Sequence, residues 1–183
     1  MDTHHPPHLY LDHTWYFITA ATVGHAPFFA DDQARVVFRE NLRSLAQRRE
    51  VGLRAWVVLS DHYHLLLRTE RGRDLGVFCG QLHGATARWV NSREAAAGRQ
   101  VWDNYWDACV RSEVDLWTRV NYAHQNPVKH GYVQHPEDWA FSSYRYYLRT
   151  KGEEWVRECW ERYPVIDFLE DDGRFRSGTP VGG

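Results

Sequence analysis

The sequence predicts an α+β domain with an antiparallel four-stranded sheet, in the ferredoxin-like order β–α–β–β–α–β. Two observations support this fold class. Several short segments are rich in aromatic and β-branched residues, as buried strands are. The segments that alternate with them repeat apolar residues at helical spacing.

The first strand and helix are separated by a clear break. Residues 15–23 (WYFITAATV) have the composition of a buried strand. Glycine and proline at 24–27 end it, and Asp31 or Asp32 is placed to cap a helix that runs to about Glu50.

Two strands and a helix follow in close succession. We predict strands at 53–59 and 62–69, joined by the short turn at 60–61. A helix from about 75 to 93 comes next, and a fourth strand lies near 108–111. This is the order that RNA-recognition (RRM-like) modules also use, so it does not define a function by itself.

A third helix is predicted after the fourth strand. Ser112 precedes it, and Asp115 stands three residues later, in capping-box spacing. Pro127 is expected to stop the helix just after Asn126, because proline disfavours helical backbone at the residue before it.

Length and composition are those of one globular domain. The chain has 183 residues, 43% of them hydrophobic and 25% charged. We expect a flexible N-terminus at 1–9, a domain over 10–150 and an acidic C-terminal tail at 151–183. The sequence has no membrane-spanning run and no secretory signal, and its three cysteines are widely spaced. These features predict a cytoplasmic protein without a membrane partner.

The charge is unevenly distributed along the chain although the net charge is only −2. Residues 35–99 contain twelve arginines and six acidic residues, whereas residues 151–183 contain five basic and eight acidic residues. A basic middle followed by an acidic tail is compatible with nucleic-acid binding. Solvated helix faces would give the same pattern.

His62 and His64 flank Tyr63 in the third predicted strand. Alternate residues of a strand share a face, so both imidazoles project to the same side. Two co-facial histidines are a natural half of a divalent metal site. Two polar residues on a solvent-facing sheet surface are the alternative.

Tyr122 and Asn126 lie four residues apart in the third predicted helix and share one face of it. This face differs from the apolar stripe that contains Leu116, Val120 and Ala123. A phenol and an amide carbonyl are thus presented together, one turn apart. An exposed tyrosine near a helix end is the alternative.

Three sequence blocks together resemble a known family. They are AWVVLSDHYHLLLR at 55–68, VWDNYWDACVRSEVDLWTRVNYAHQNPVKHGYV at 101–133 and DWAFSSYRYY at 138–147. In order and spacing they are similar to the REP-associated tyrosine transposases, which belong to the single-tyrosine HUH transposases of the insertion-sequence-200-like group. The resemblance covers roughly residues 10–148.

The resemblance implies an HUH endonuclease fold and a metal-dependent single-stranded DNA endonuclease and strand transferase that acts on DNA hairpins such as REP-like palindromes. Tyr122 matches the nucleophile, which would form a 5′-phosphotyrosine intermediate. His62 and His64 match the metal-binding histidines, and Asn126 stands where the family has an amide-type third ligand. Mg²⁺ or Mn²⁺ is the expected cofactor, with imidazole ligands favouring Mn²⁺.

If DNA is the partner, basic residues of this chain could contact its phosphate backbone. The candidates are Arg35, Arg39, Arg43, Arg68, Arg71, Arg73 and Lys129.

Two other functions are compatible with the residues. One is a catalytically silent protein that binds single-stranded or hairpin DNA on the same sheet face. The other is a metal-dependent hydrolase of small phosphoesters. The sequence also leaves open whether the protein is a monomer or a homodimer, and whether it is a mobile transposase or a host-retained protein.

Overall fold

The computed structural model describes residues 11–166 and 168. In chain order, their strands and α-helices are β1 (Trp15–Ala21), α1 (Asp32–Arg48), β2 (Gly52–Val58), β3 (His62–Arg68), α2 (Asp74–Arg93), β4 (Trp106–Cys109), α3 (Glu113–Lys129), α4 (Tyr144–Lys151) and α5 (Glu153–Arg162). The predicted order is confirmed. The fourth strand begins two residues earlier than predicted, at Trp106 rather than near Ala108.

The four strands form one antiparallel sheet with the spatial order β2–β3–β1–β4. This order is that of the ferredoxin-like split βαβ motif, so the predicted fold class is confirmed. The register pairs His64 with Thr19 and His62 with Ala21. Directly paired residues of antiparallel strands share a face, which places both histidines on the same side of the sheet.

Helices cover the two faces of the sheet differently. Tyr63 points away from its histidine neighbours and contacts Phe38 of α1 and His83 of α2, at ring-centroid distances of 5.1 and 5.7 Å. Helix α3 packs against β2 and β3 on the other side, where Tyr122 meets His64. The sheet therefore separates an α1–α2 layer from an α3 layer.

Much of the aromatic content lies in the core. Phe29, Phe38, Tyr63 and Trp102 are buried and form a connected cluster in the α1–α2 layer. Packing in the core thus explains these aromatic rings, which are unavailable for stacking on bases.

Two helices begin at the N-cap residues that the sequence predicts. The Asp31 side chain accepts a hydrogen bond from Ala34 N at 2.9 Å and so caps α1. Ser112 Oγ accepts from Asp115 N at 3.1 Å and caps α3. Both side chains satisfy amide donors that the first turn of a helix leaves without intrahelical partners.

The expectation that Pro127 ends the third helix is wrong. Helix α3 continues through Pro127 to Lys129. His130 N donates to Asn126 O at 3.0 Å, and Gly131, with φ of +72°, closes the end by donating to Val128 O. Because Pro127 lies in the last turn, its missing N–H removes only one intrahelical bond, and the buried ring is held by packing.

Part of the segment predicted as an acidic tail is helical. Helix α5 packs against α3 through Asn121, whose Nδ2 donates to the carbonyls of Cys159 and Tyr163 at 3.2 and 2.8 Å. The predicted flexible N-terminus at 1–9 and the C-terminal residues 169–183 lie outside the described residues. Within 11–166 and 168, no helix is long and apolar enough to cross a membrane.

Candidate active site

Three elements bring the candidate residues together: β1, β3 and α3. His62 and His64 are 5% and 0% exposed, because α3 lies over their face of the sheet. Their ring centroids are 5.3 Å apart. The alternative of two histidines on a solvent-facing sheet surface is therefore wrong.

Both ring nitrogens of His62 face a side-chain oxygen. Its Nδ1 lies 2.7 Å from Asp61 Oδ1, and its Nε2 lies 3.0 Å from Asn126 Oδ1. The other Asp61 oxygen lies 3.0 Å from His25 Nδ1. Burial opposes ionisation of Asp61, but its hydrogen bonds and charge interactions with both histidines prevail and lower its pKa to about 2. The carboxylate thus fixes the His62 ring with Nδ1–H as donor and Nε2 directed towards Asn126.

His64 is oriented by β1. Its Nδ1 lies 2.8 Å from Thr19 Oγ1, and its ring stacks on Phe17 with centroids 5.4 Å apart and planes 14° from parallel. When Nδ1 donates its proton to Thr19, Nε2 carries the lone pair that a metal ion requires.

The donor atoms fit a divalent ion. His62 Nε2 and Asn126 Oδ1 lie 3.0 Å apart, close enough for both to hold one divalent cation. Asn126 is fully buried, and its Nδ2 has no hydrogen-bond partner among the described residues. Imidazole nitrogen and amide oxygen together suit Mn²⁺, and the amide oxygen also suits Mg²⁺.

Tyr122 packs directly against this group. It is 1% exposed, and its ring meets the His64 ring edge to face at a centroid distance of 5.3 Å. The ammonium nitrogen of Lys129 lies 3.4 Å from Tyr122 Oη and 5.1 Å from the ring centroid. The alternative of an exposed tyrosine is wrong, and the contact with His64 is made within one chain.

Phe168 covers the other side of Tyr122. Its ring lies 5.1 Å from the Tyr122 ring and 6.3 Å from that of Phe17, and the Arg119 guanidinium lies 4.3 Å from its centroid. Phe168 therefore shields this side of the Tyr122 ring.

Sequence reasoning missed several histidine and carboxylate contacts. His130, the C-cap residue of α3, lies 4.8 Å from the His62 ring, centroid to centroid. Asp61 and His25 support His62 from the opposite side. Two signals for these contacts were available: the adjacency of Asp61 to His62, and the i, i+4 spacing of Asn126 and His130. His25 is distant in sequence from both.

Two further histidines, His83 on α2 and His124 on α3, have low pKa values because of desolvation. His124 is 2% exposed, and its Nε2 lies 2.8 Å from Ser143 Oγ. Desolvation lowers the pKa of His124 to about 3 and that of His83, which meets Tyr63 Oη at 2.8 Å, to about 4. Neither residue has a ring contact or hydrogen bond with Tyr122 among the described residues; His83 meets Tyr63, and His124 meets Ser143.

The predicted basic path is not assembled around Tyr122. Arg35 is buried, where its guanidinium donates to Ala30 O at 2.6 Å and stacks 4.7 Å from the Trp139 ring centroid. This side chain therefore has a structural role. Arg39 and Arg43 share Glu40 and belong to α1, on the opposite face of the sheet from Tyr122.

The second predicted set of arginines, Arg68, Arg71 and Arg73, lies at or beyond the distant end of β3. Arg68 is six positions from His62, which is about 20 Å of extended strand. Arg71 pairs with Asp74 at 3.0 Å. Among the predicted DNA-contacting residues, Lys129 is the one that the structure places beside Tyr122.

Comparison with known proteins places the chain among transposases. The family model described as "Transposase IS200 like" matches residues 13–126. A REP-associated tyrosine transposase of Escherichia coli (strain K12) is 27% identical over 113 residues, 59% of this chain and 63% of that protein. A Haemophilus influenzae protein assigned to the same group is 28% identical over 124 residues, 62% of this chain and 69% of that protein.

A solved structure supports the fold. It is described as a REP-associated tyrosine transposase bound to a REP hairpin, and it superposes with a TM-score of 0.67 at 20% identity. The superposition covers 98% of this chain and 99% of that chain. The Escherichia coli match, by contrast, spans less than two thirds of that relative's length.

Proposed function

Since the chain belongs to the IS200-like transposase family, whose model matches residues 13–126, we propose that it cuts and rejoins single-stranded DNA through Tyr122. The observation that carries the proposal is the packing of Tyr122 against His64, within the buried group that also contains His62 and Asn126. This group provides a nucleophile and three metal ligands from one chain.

His62, His64 and Asn126 would hold a divalent cation, Mg²⁺ or Mn²⁺. When bound, such a cation neutralises charge on the scissile phosphate and thereby assists attack by an oxygen nucleophile. Asp61 and Thr19 keep the two imidazoles oriented, so that the ligand atoms do not need to reorganise for each substrate.

Tyr122 Oη would attack the phosphorus of the scissile diester. The bond from Oη to phosphorus forms as the bond from phosphorus to the 3′-oxygen breaks, which leaves a 5′-phosphotyrosine and a free 3′-hydroxyl. One phosphodiester replaces another, so the step needs no nucleotide cofactor. A phenol is largely protonated at neutral pH, and the Lys129 ammonium at 3.4 Å stabilises the negative charge that develops when Oη loses its proton.

Hairpin DNA with a flanking single-stranded segment is the proposed substrate. The related solved protein is described as bound to a REP hairpin. Attack on a diester requires an accessible, unpaired strand at Tyr122, and a hairpin can present such a segment beside its stem. Because Tyr122 reaches the histidines of its own chain, a monomer would contain the complete group, and a homodimer is not required for it.

A covalent-adduct experiment tests this function. The protein is incubated with end-labelled hairpins carrying single-stranded flanks, with Mn²⁺ or with chelator, and analysed on denaturing gels. We expect a metal-dependent shifted band that Tyr122→Phe abolishes. Tyr146→Phe is the matched control, since Tyr146 is 56% exposed on α4 and lies outside the site.

The two alternative functions predict different results. A catalytically silent binding protein would retain hairpin binding but form no adduct. A hydrolase of small phosphoesters would cleave a model diester, and Tyr122→Phe would not affect its rate.

A further inference from the structure

The ligand atoms of the candidate metal site come from two separate parts of the chain. His62 begins β3, directly after the β2–β3 turn at 59–61, whereas Asn126 lies near the end of α3. His62 Nε2 and Asn126 Oδ1 are 3.0 Å apart although the two residues are 64 positions apart in sequence. A cation shared by both atoms requires this spacing to be kept, and supporting contacts must hold the ligands to within about 0.5 Å.

Backbone hydrogen bonds fix the β2–β3 turn to the sheet and to the segment after β1. Leu59 N donates to His62 O at 2.9 Å and closes the turn. Thr22 N donates to Asp61 O at 2.7 Å. Neither bond involves α3, so neither determines where Asn126 lies relative to the turn.

Tyr132 connects this turn to the end of α3. Its backbone N donates to the carbonyl oxygen of Pro127 at 2.9 Å, one residue beyond Asn126. Its Oη forms a hydrogen bond with Ser60 Oγ, two positions before His62. One residue is therefore bonded to both chain segments that supply ligands.

Trp139 supports the Tyr132 ring in this position. The two ring centroids are 5.1 Å apart, with the planes at 52°. Trp139 is 8% exposed, and its Nε1 donates to the carbonyl oxygen of Val58 at 3.2 Å. Val58 is the last residue of β2. The support of the Tyr132 ring is thus fixed to the strand that leads into the turn.

Burial does not account for a tyrosine at position 132. Tyr132 is 36% exposed, whereas Tyr122 is 1% exposed and Tyr63 is fully buried. A phenylalanine would make the same ring contact with Trp139. What the hydroxyl adds is the bond to Ser60.

We propose that Tyr132 is a positioning residue for the metal site. Its hydroxyl holds the β2–β3 turn through Ser60, and its backbone is fixed to α3 through Pro127. His62 and Asn126 thereby stay close enough to share one divalent cation. The inference rests on the proposed function in taking these two residues as ligands, and it assigns Tyr132 no contact with the substrate.

A double-mutant cycle tests the bond between Tyr132 and Ser60. Tyr132→Phe keeps the ring contact with Trp139 and removes the hydroxyl, Ser60→Ala removes its partner, and a third variant combines both substitutions. Titration calorimetry measures the Mn²⁺ affinity of the DNA-free protein. Urea denaturation in the presence of chelator measures the stability of each metal-free variant. Tyr146→Phe, at a position 56% exposed on α4, is the matched control.

We expect each single variant to bind Mn²⁺ about 3- to 10-fold more weakly, a smaller loss than the 10- to 100-fold typical of groups bonded directly to a metal ligand. The double variant should bind no more than about twofold more weakly than either single variant, because both substitutions break the same bond. Urea midpoints should stay close to that of the wild type, since the bond is exposed. Tyr146→Phe should keep the wild-type Mn²⁺ affinity.

A kinetic measurement separates positioning from participation in the reaction. At saturating Mn²⁺, the single-turnover rate of adduct formation by Tyr132→Phe should recover to the wild-type rate. The reason is that Tyr132 affects the affinity of the metal site and not the reacting atoms.

Several results would overturn the inference. Wild-type Mn²⁺ affinity of Tyr132→Phe, together with a normal Tyr122 adduct, removes the positioning role and leaves the proposed function intact. Losses that multiply in the double variant show that the two hydroxyls act independently. A loss of Mn²⁺ affinity accompanied by an equal loss of stability assigns Tyr132 to the fold alone. If the wild type itself binds no Mn²⁺, the proposed metal site fails and this inference fails with it.

Discussion

Tyr122 and His64 meet edge to face within one chain, with ring centroids 5.3 Å apart and planes at 72°. The contact exists because α3 crosses the face of the sheet on which β3 presents its two histidines. It places a phenol beside an imidazole whose other neighbours, Thr19 and Phe17, fix its orientation. The residues around this contact can therefore be substituted one at a time, and their effects on metal binding, reaction rate and stability can be measured.

Asp61→Asn should weaken Mn²⁺ binding by about 10- to 100-fold, because the carboxylate that orients His62 and favours its Nδ1–H form is lost. Titration calorimetry of the DNA-free protein measures this directly, without reference to activity. Glu40→Gln, which removes a carboxylate on α1, should leave the affinity unchanged. Equal Mn²⁺ affinity of Asp61→Asn and wild type would contradict the positioning role.

Lys129→Gln should slow adduct formation by about 10- to 100-fold, since the ammonium that stabilises charge on Tyr122 Oη is removed. Lys129→Arg should restore part of the rate because it keeps the positive charge. Single-turnover rates at saturating DNA separate this effect from binding. Lys151→Gln, which removes an exposed charge on α4, is the control. A Lys129→Gln rate equal to the wild-type rate would show that the contact does not assist the reaction.

Arg35→Ala should destabilise the fold by about 3 kcal/mol, because it removes buried charge-assisted hydrogen bonds and the stacking on Trp139. Arg43→Ala removes an exposed arginine from the same helix and should change the free energy of unfolding by less than about 0.5 kcal/mol. Urea denaturation measures both. Similar stabilities of the two variants would mean that Arg35 is not structurally required.

Stability should fall as the pH is lowered from about 6.5 towards 4. Desolvation lowers the pKa of His124 to about 3 in the folded protein, whereas the unfolded chain titrates near 6.5. Between these values the unfolded state binds more protons, so acid favours it, with an expected loss of a few kcal/mol.

Urea midpoints measured from pH 7 to 4 test this pH dependence. His124→Gln should reduce the slope by about half, because His83, whose pKa is lowered to about 4, titrates in the same window. His135→Gln, at an exposed position, should leave the slope unchanged. Retention of the full wild-type slope in His124→Gln would assign the effect to other groups. Below pH 4, protonation of Asp61, whose pKa is lowered to about 2, removes a further contribution as the pH approaches that value.

Local patterns in the sequence were sufficient to predict the order of the strands and helices and the caps of two helices. Period-two alternation placed His62 and His64 on one face of β3, and the helical repeat placed Tyr122 and Asn126 on one face of α3. Asp31 and Ser112 cap their helices as predicted because capping depends on residues three positions apart. The prediction that α3 ends at Pro127 was wrong because it used only the local preference of proline. The tertiary packing that holds the last turn of α3 cannot be seen from neighbouring residues in the sequence.

Periodicity along the chain was enough to predict which side chains share a face of their own strand or helix, because it fixes directions relative to that element's axis. Which faces meet is seen only in the folded protein: α3 lies over the histidines, Lys129 lies beside Tyr122, and Arg35 is buried against Trp139. The contacts between elements depend on burial of the whole core, to which residues distant in sequence contribute.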